Sequence, residues 1–399
     1  MTRTSLNEKL HAFYDFRVAP HSFDVATFLV EAERERLDRQ LDSIHVVIVS
    51  PSNQREYRSY FMPHLDVERA RWRLNNIILP SCRLLPSVQT VTVCDDGDLP
   101  EWILRQSTEN LFPENYTLET PLPANPFPPV TIASNLGQSF QFIEASPQAR
   151  QYARQWLDTR ANGRKCVPIT LRESPYNPQR NSDLTVWGQI AQHLRAAGHF
   201  PFILRDIDKA LDDYPPEFEE ISSCPEAVFN LELRMALYEE SHICAFVANG
   251  PAWACSLNRN VQYLYFVTGD WVDTNPPGMH KLGIGVGRTP PFANHFQKWL
   301  WDGQDADIFM DEFVAMDNHI EQSRVDGSYE SKLDPVVENR EPMEVLAKRF
   351  SCFPNSYLNI DHHLMFQCIS LCPSDVIENL DTQLMLGEFF LQRLRISSL

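Results

Sequence analysis

Three stretches of the chain place chemically able side chains directly after short apolar runs. Cys166–Leu171 is followed by Arg172, Arg180 and Asn181, Phe202–Leu204 by Asp206, and His242–Ala248 by Asn249, Gly250 and Pro251. Guanidinium groups and the free N–H groups of a helix start suit an anionic, phosphate-like ligand, and glycine lets the backbone come close to it. A second set, Asp15, His21 and Asp24, flanks the loop after Phe13–Phe16. Carboxylates and an imidazole are the usual agents of proton transfer near neutral pH.

The elements that must position these residues follow from periodicity. The apolar runs have the length and β-branched content of buried strands, and Val261–Val267 adds a fourth. Between them, Leu184, Trp187, Ile190, Ala191 and Leu194 recur at helical spacing, closed by Gly198. Glu226 to Ser241 reads as one helix, with Glu226, Asn230 and Arg234 at i, i+4 and i+8, facing either a cleft or solvent. Strand and helix alternating in units of this length predict right-handed parallel crossovers and a doubly wound sheet, which binds ligands at its carboxyl edge.

The first part of the chain repeats the alternation. Phe13–Phe16, Ile44–Ser50 and Val88–Cys94 read as strands; Phe23–Leu37, with Ser22 as cap, and Asp66–Leu79 read as helices. The Pro-rich segment 111–129 reads as a surface loop, 146–159 as a polar helix, and 160–165 as a linker. His280–Val286 reads as a last strand, and the aromatic spacing from 293 to 316 suggests helices. Residues 321–345 read as a polar connection, and 373–399 as an amphipathic helix. The resulting division is 1–160, 165–300 and a helical extension 301–399.

Composition narrows the function. The 399 residues exceed what one core usually supports, so two α/β domains of roughly 150 residues are expected. With 35 basic and 53 acidic residues the net charge is −18, which argues against a nucleic-acid partner while leaving room for a local basic pocket. No apolar run approaches the ~20 residues that span a bilayer, and the amino terminus lacks the apolar core of a signal peptide. Nine scattered cysteines, mostly within apolar runs, read as reduced core residues of a cytoplasmic protein.

Pro168-Ile-Thr-Leu-Arg172 followed by a polar loop, and Asn249-Gly-Pro-Ala-Trp253 at a helix start, resemble elements of the GT-B glycosyltransferases, in particular the fucosyltransferase-like and heptosyltransferase-like groups. The chain is also similar to uncharacterised proteins of bacterial surface-carbohydrate clusters. The resemblance covers residues 165–270, and over the first half only the layout agrees. Two departures stand out: the loop after Leu171 lacks the Arg-x-x-Asp spacing of fucosyltransferases, and Asn249-Gly250 replaces an Asp/Ser-Gly pair.

The resemblance implies two Rossmann-like domains, with carboxyl-terminal helices crossing back to the first. It implies transfer of a sugar from a nucleotide-sugar donor to a glycan or lipid-linked acceptor, without metal or other cofactor, in the cytoplasm or peripherally at the inner membrane face. Arg172, Arg180, Asn181, Asn249, Gly250 and Pro251 would hold the diphosphate, whose charge grows as the nucleotide leaves. Asp206, Glu226 and Asn230 would contact the nucleoside, and His21, Asp15 or Asp24 would deprotonate the acceptor. The competing roles are ordinary: Arg172 paired with Glu173 or a carbonyl, Asn249-Gly250-Pro251 as a tight turn, Asp206 and Asp24 as helix-start residues, His21 as a loop histidine. A nucleotide-sugar epimerase and a non-catalytic binding protein on the same frame are the rival functions.

Several motifs are set aside. Gly283-Ile-Gly-Val-Gly287 precedes Arg-Thr-Pro-Pro where a dinucleotide site needs a helix. Asp206-Ile-Asp208 and Asp305-Ala-Asp307 match a metal-binding Asp-x-Asp but sit in the wrong topology. His362-His363 with Cys368 and Cys372 fits no strong zinc spacing.

Overall fold

A computed structural model describes residues 8–340, apart from 52–64, 122–126, 269–283 and positions 96, 108, 136 and 176. Two parallel sheets account for its strands. The first contains β1 (Lys9–Asp15), β2 (Ser43–Ser50), β3 (Val88–Asp95) and the short β4 (Leu111–Phe112), in spatial order β3-β2-β1-β4. The second contains β5 (Cys166–Thr170), β6 (Phe200–Leu204), β7 (Ser222–Ser223), β8 (Cys244–Val247), β9 (Tyr263–Phe266) and β10 (Gln297–Leu300), in the order β10-β9-β8-β5-β6-β7. All pairings between named strands are parallel. The two-sheet α/β layout expected from the sequence is therefore present. Each sheet reverses its direction of winding once, between β1 and β4 and between β5 and β8.

Both faces of the second sheet are covered. One side packs Val167, Ile169, Ile203 and Leu264 against Trp187 and the helix Ala306–Val325, through Phe309, Phe313 and Ile320. The other packs Phe202, Phe246 and Tyr263 against Trp156 and Leu157 of the helix Pro147–Ala161 and Leu237 of the helix Leu231–Glu239. Double burial is why β5, β6 and β8 read as continuous apolar runs rather than alternating ones. Segment 160–165 is a tight helix-to-strand turn with Asn162 and Gly163 at positive φ. The crossing between the two sheets is made earlier, where the Ile143 N–H donates to the Leu257 carbonyl and the Glu144 N–H to that of Leu84. At the end of the described chain, Arg340 lies over Gly137 in that same crossing.

Several local expectations give way to tertiary packing. The stretch expected as one helix from Glu226 breaks at Asn230 (φ −120, ψ 98), whose side chain accepts the Leu233 N–H and starts a new helix. Glu226, Asn230 and Arg234 therefore share no helical face. Segment 293–316 contains the strand β10 before its helix. Phe296 and Leu300 enter one core while Trp299 and Trp301 enter the other, so their spacing of three and four masked a period of two. The polar stretch from 321 continues that helix to Val325 and then forms a 3-10 turn that buries Leu333. The first helix runs Val25–Asp38, preceded by Asp24 rather than Ser22. The tail helix 373–399 and the 362–372 His/Cys stretch lie outside the described residues, as does most of the strand expected at 280–286. Among the described residues no helix is long and apolar enough to cross a membrane.

Candidate active site

The carboxyl ends of β5 and β8, where the second sheet reverses its winding, carry a compact group of arginines. Arg172, 7% exposed, is held by its own loop: its guanidinium donates to the Asn177 carbonyl at 3.2 Å and to Asn181 Oδ1. Asn181 is fixed in turn, since Oδ1 also accepts the Ser174 N–H and Nδ2 donates to the Ser174 carbonyl. The alternative Arg172–Glu173 pair does not form, because Glu173 makes a bidentate pair with Arg205 at 2.7 and 2.8 Å. Arg180 reaches across the reversal point to the Ala248 carbonyl at 3.3 Å, and its buried Nε has no hydrogen-bond partner among the described residues.

Arg234 completes the group. It is 5% exposed, donates from Nε to Tyr238 Oη at 2.8 Å, and keeps a buried Nη2 without a partner among the described residues. Tyr238 Oη also meets Thr170 Oγ1 at the end of β5. Asp206 accepts the Glu173 N–H at 2.7 Å. Burial raises its pKa, against the pull of that hydrogen bond and of Arg234 and Arg172. Tyr265 is pushed up to about 12 by burial, while Arg180 and Arg172 draw it back, so both guanidinium groups act on one phenol. Arg180 and Arg234 each keep an N–H group without a partner among the described residues, and with Arg172 they form a site that favours a multiply charged anion.

Charges of the first domain lie within reach of this group. Asp15, fully buried, is held by Arg17 at 2.6 Å and by the Tyr116 hydroxyl at 2.6 Å, a structural network. The His21 ring, 2% exposed, stacks on Phe16 at 3.7 Å, and burial followed by the field of Arg73 lowers its pKa to about 4. Its carbonyl accepts from Arg73, whose charge in turn feels Asp208 of the second domain. Asp24 differs from both. Its carboxylate accepts from Ser22 Oγ, and burial raises its pKa while the field of Arg180, from the second sheet's side, draws it back.

Beside this group the domains touch. Phe23 packs so closely on Gly250 that an added Cβ would lie 2.8 Å from the ring Cγ, and Trp253 Nε1 donates to Thr27 Oγ1 at 3.1 Å. Asn249 Oδ1 caps the Ala252 N–H, while its buried Nδ2 has no partner among the described residues. Gly250 and Pro251 thus start a six-residue helix covered by Phe23. Glu226 and Asn230 lie apart from the arginines' burial, on a surface groove of about 650 Å³ with Tyr152, Phe229 and Glu232. Asp305 caps its helix through the Ile308 N–H, which accounts for that Asp-x-Asp match.

Arg172, Arg180, Asn181, Asp206 and Asn249 were reachable from the strand-end rule. Tyr265 gave no sequence signal. Arg234 gave one, a charge inside the apolar run Leu233–Tyr238.

No family model and no curated protein matches the chain. Solved structures to which the chain is distantly similar include two glycosyltransferases. One, described as the glycosyl transferase family 9 from Veillonella parvula DSM 2008, is 11% identical with a TM-score of 0.40, over 65% of this chain and 80% of that one. The other, the ADP-heptose lps heptosyltransferase II of E. coli, is 10% identical with a TM-score of 0.40, over 78% of this chain and 99% of that one.

Proposed function

We propose that the chain is a glycosyltransferase that moves a sugar from a nucleotide-diphosphate donor to a hydroxyl of a glycan or lipid-linked acceptor. The observation that carries this reading is the Arg172–Arg180–Arg234 group at the winding reversal of the second sheet, with Asp24 of the first domain in the field of Arg180. As the glycosidic bond to the donor breaks, negative charge accumulates on the departing diphosphate. Arg180 Nε and Arg234 Nη2 are preorganised donors for it, and Arg172 is aimed by Asn181. These three cations supply the charge stabilisation that other transferases obtain from a divalent metal, so the transfer is proposed to be metal-independent, with no cofactor beyond the donor. Asp206 is the nucleoside contact.

Asp24 is the proposed general base for the acceptor hydroxyl. Its raised pKa strengthens it as a proton acceptor, and Arg180 favours its ionised form. His21 is too weakly basic and Asp15 too fully bonded to serve as well.

A thermal-shift panel of UDP, GDP, ADP and CMP and their sugars, in EDTA and in manganese, tests the reading. A ligand at about 100 times its Kd stabilises by ~2.7 kcal/mol. The expected result is a shift with one nucleotide family in EDTA that is lost in Arg180→Ala. A chain that no nucleotide stabilises overturns the proposal.

A further inference from the structure

The opposite edge of the second sheet carries a separate constellation. Lys165 immediately precedes β5, and His242 lies two residues before β8. Asp317 and Glu321 stand one turn apart on the helix Ala306–Val325 that covers this face. His242, 7% exposed, meets Asp317 Oδ1 through Nε2 at 2.7 Å. The Lys165 ammonium sits between the carboxylates, 2.6 Å from Asp317 and 2.9 Å from Glu321. One ligating atom from each of His242, Asp317 and Glu321 lies within 4.8 Å of the others.

We propose that His242, Asp317 and Glu321 form a divalent transition-metal site, and that Lys165 is its built-in competitor, holding the cation's place until metal displaces it. The donor set, one imidazole nitrogen and two carboxylates, is the kind that binds zinc, cobalt or manganese.

Donors about 2.0–2.2 Å from a tetrahedral zinc stand roughly 3.3 Å apart, so the His242–Asp317 pair at 2.7 Å opens slightly while the distances to Glu321, within 4.8 Å, close modestly. The Glu321 side chain is 46% exposed, and to make that closure Oε1 also leaves the Arg324 guanidinium, 3.2 Å away. The Lys165 side chain, 36% exposed, swings into water when displaced, and a dication neutralises both carboxylates where one ammonium does not. A second imidazole borders the cluster. His199, edge-on to Phe313 one turn before Asp317, has a buried Nδ1 without a partner among the described residues and lies in the fields of Asp317 and Lys165. Bound metal would clamp the last described helix to the starts of β5 and β8, away from the arginine site.

Calorimetric titration of the full chain with Zn²⁺, and with Co²⁺ followed by its visible absorption, tests this in wild type, Lys165→Met, Glu321→Gln and Lys165→Met/Glu321→Gln. Lys165→Met is expected to bind one equivalent at least about tenfold tighter than wild type, and Glu321→Gln to lose at least about tenfold in either background, as for removal of groups in and around metal sites. A wild type that binds nothing while Lys165→Met binds also supports the competitor role, provided Glu321→Gln abolishes the gain. Absence of binding in Lys165→Met overturns the proposal. So does binding that Glu321→Gln leaves unchanged, which places the metal elsewhere in the chain. Glu321 lies outside the core, and circular dichroism of each variant confirms that a lost signal is not lost fold.

Discussion

Replacing Gly250 with alanine puts the domain contact to a test of sign. Gly250 is not at positive φ, so alanine is conformationally allowed there, and by itself Gly→Ala stabilises by about 0.4–1 kcal/mol through the unfolded chain. The structure predicts the opposite. The new Cβ would stand 2.8 and 2.9 Å from Cγ and Cε2 of Phe23, against an ordinary contact of 3.4–4 Å. The ring is also packed into both domain cores, so it has little room to retreat. Overpacking of this kind costs about 1–3 kcal/mol, which exceeds the gain. Gly250→Ala should therefore be destabilising, whereas Gly250→Ala in a Phe23→Ala background should be stabilising. The coupling between the two sites should be roughly 1–3 kcal/mol, the overpacking cost itself, since the unfolded-chain gain cancels between backgrounds; it is read from urea melts of the four proteins. Additive effects, or stabilisation by Gly250→Ala alone, would refute the contact and with it the seating of one domain on the other.

Three further outcomes follow from the same geometry. Asp24→Asn should lower sugar transfer by about 10²–10⁴-fold, the usual worth of a general base, while nucleotide still raises the melting temperature; loss of nucleotide binding instead would make Asp24 a ligand contact. Asn181→Ala removes the acceptor that aims Arg172, and a hydrogen bond to a charged group is worth about 1.5–3 kcal/mol. Nucleotide affinity measured by calorimetry should fall about tenfold or more, and an unchanged Kd would separate Arg172 from binding.

The third concerns pH. Glu239, its side chain buried beside the domain crossing, accepts from the Ala145 N–H and Asn258 and lies 3.4 Å from Arg150, yet burial lifts its pKa from 4.5 to about 7. A folded value above the unfolded one means that its contribution to stability is full below pH 4.5 and is lost as pH rises through about 7. The change is worth roughly 3 kcal/mol at about 1.4 kcal/mol per pH unit. Glu239→Gln should flatten the fall in stability between about pH 5 and pH 8, and an unchanged slope would exclude Glu239 as its source.

Local pattern determined much of this protein. Runs such as Cys166–Leu171 and His242–Ala248 declare buried strands because burial on both faces leaves no room for polar alternation. The strand-end rule then marks Arg172, Asp206 and Asn249 without coordinates, since chain order alone puts them at the carboxyl edge. Tertiary structure decided the rest. The order β10-β9-β8-β5-β6-β7, which puts Arg180 against the end of β8, is set by pairing between strands distant in sequence. Asn230 broke a helix that periodicity would have continued, because its side chain found the Leu233 N–H. Arg234 turned inward while Asn230 stayed on the surface, and Asp24 gained a charged neighbour only when two separately folded sheets met. Periodicity records which residues are buried, but which charges meet depends on long-range packing that no local window contains.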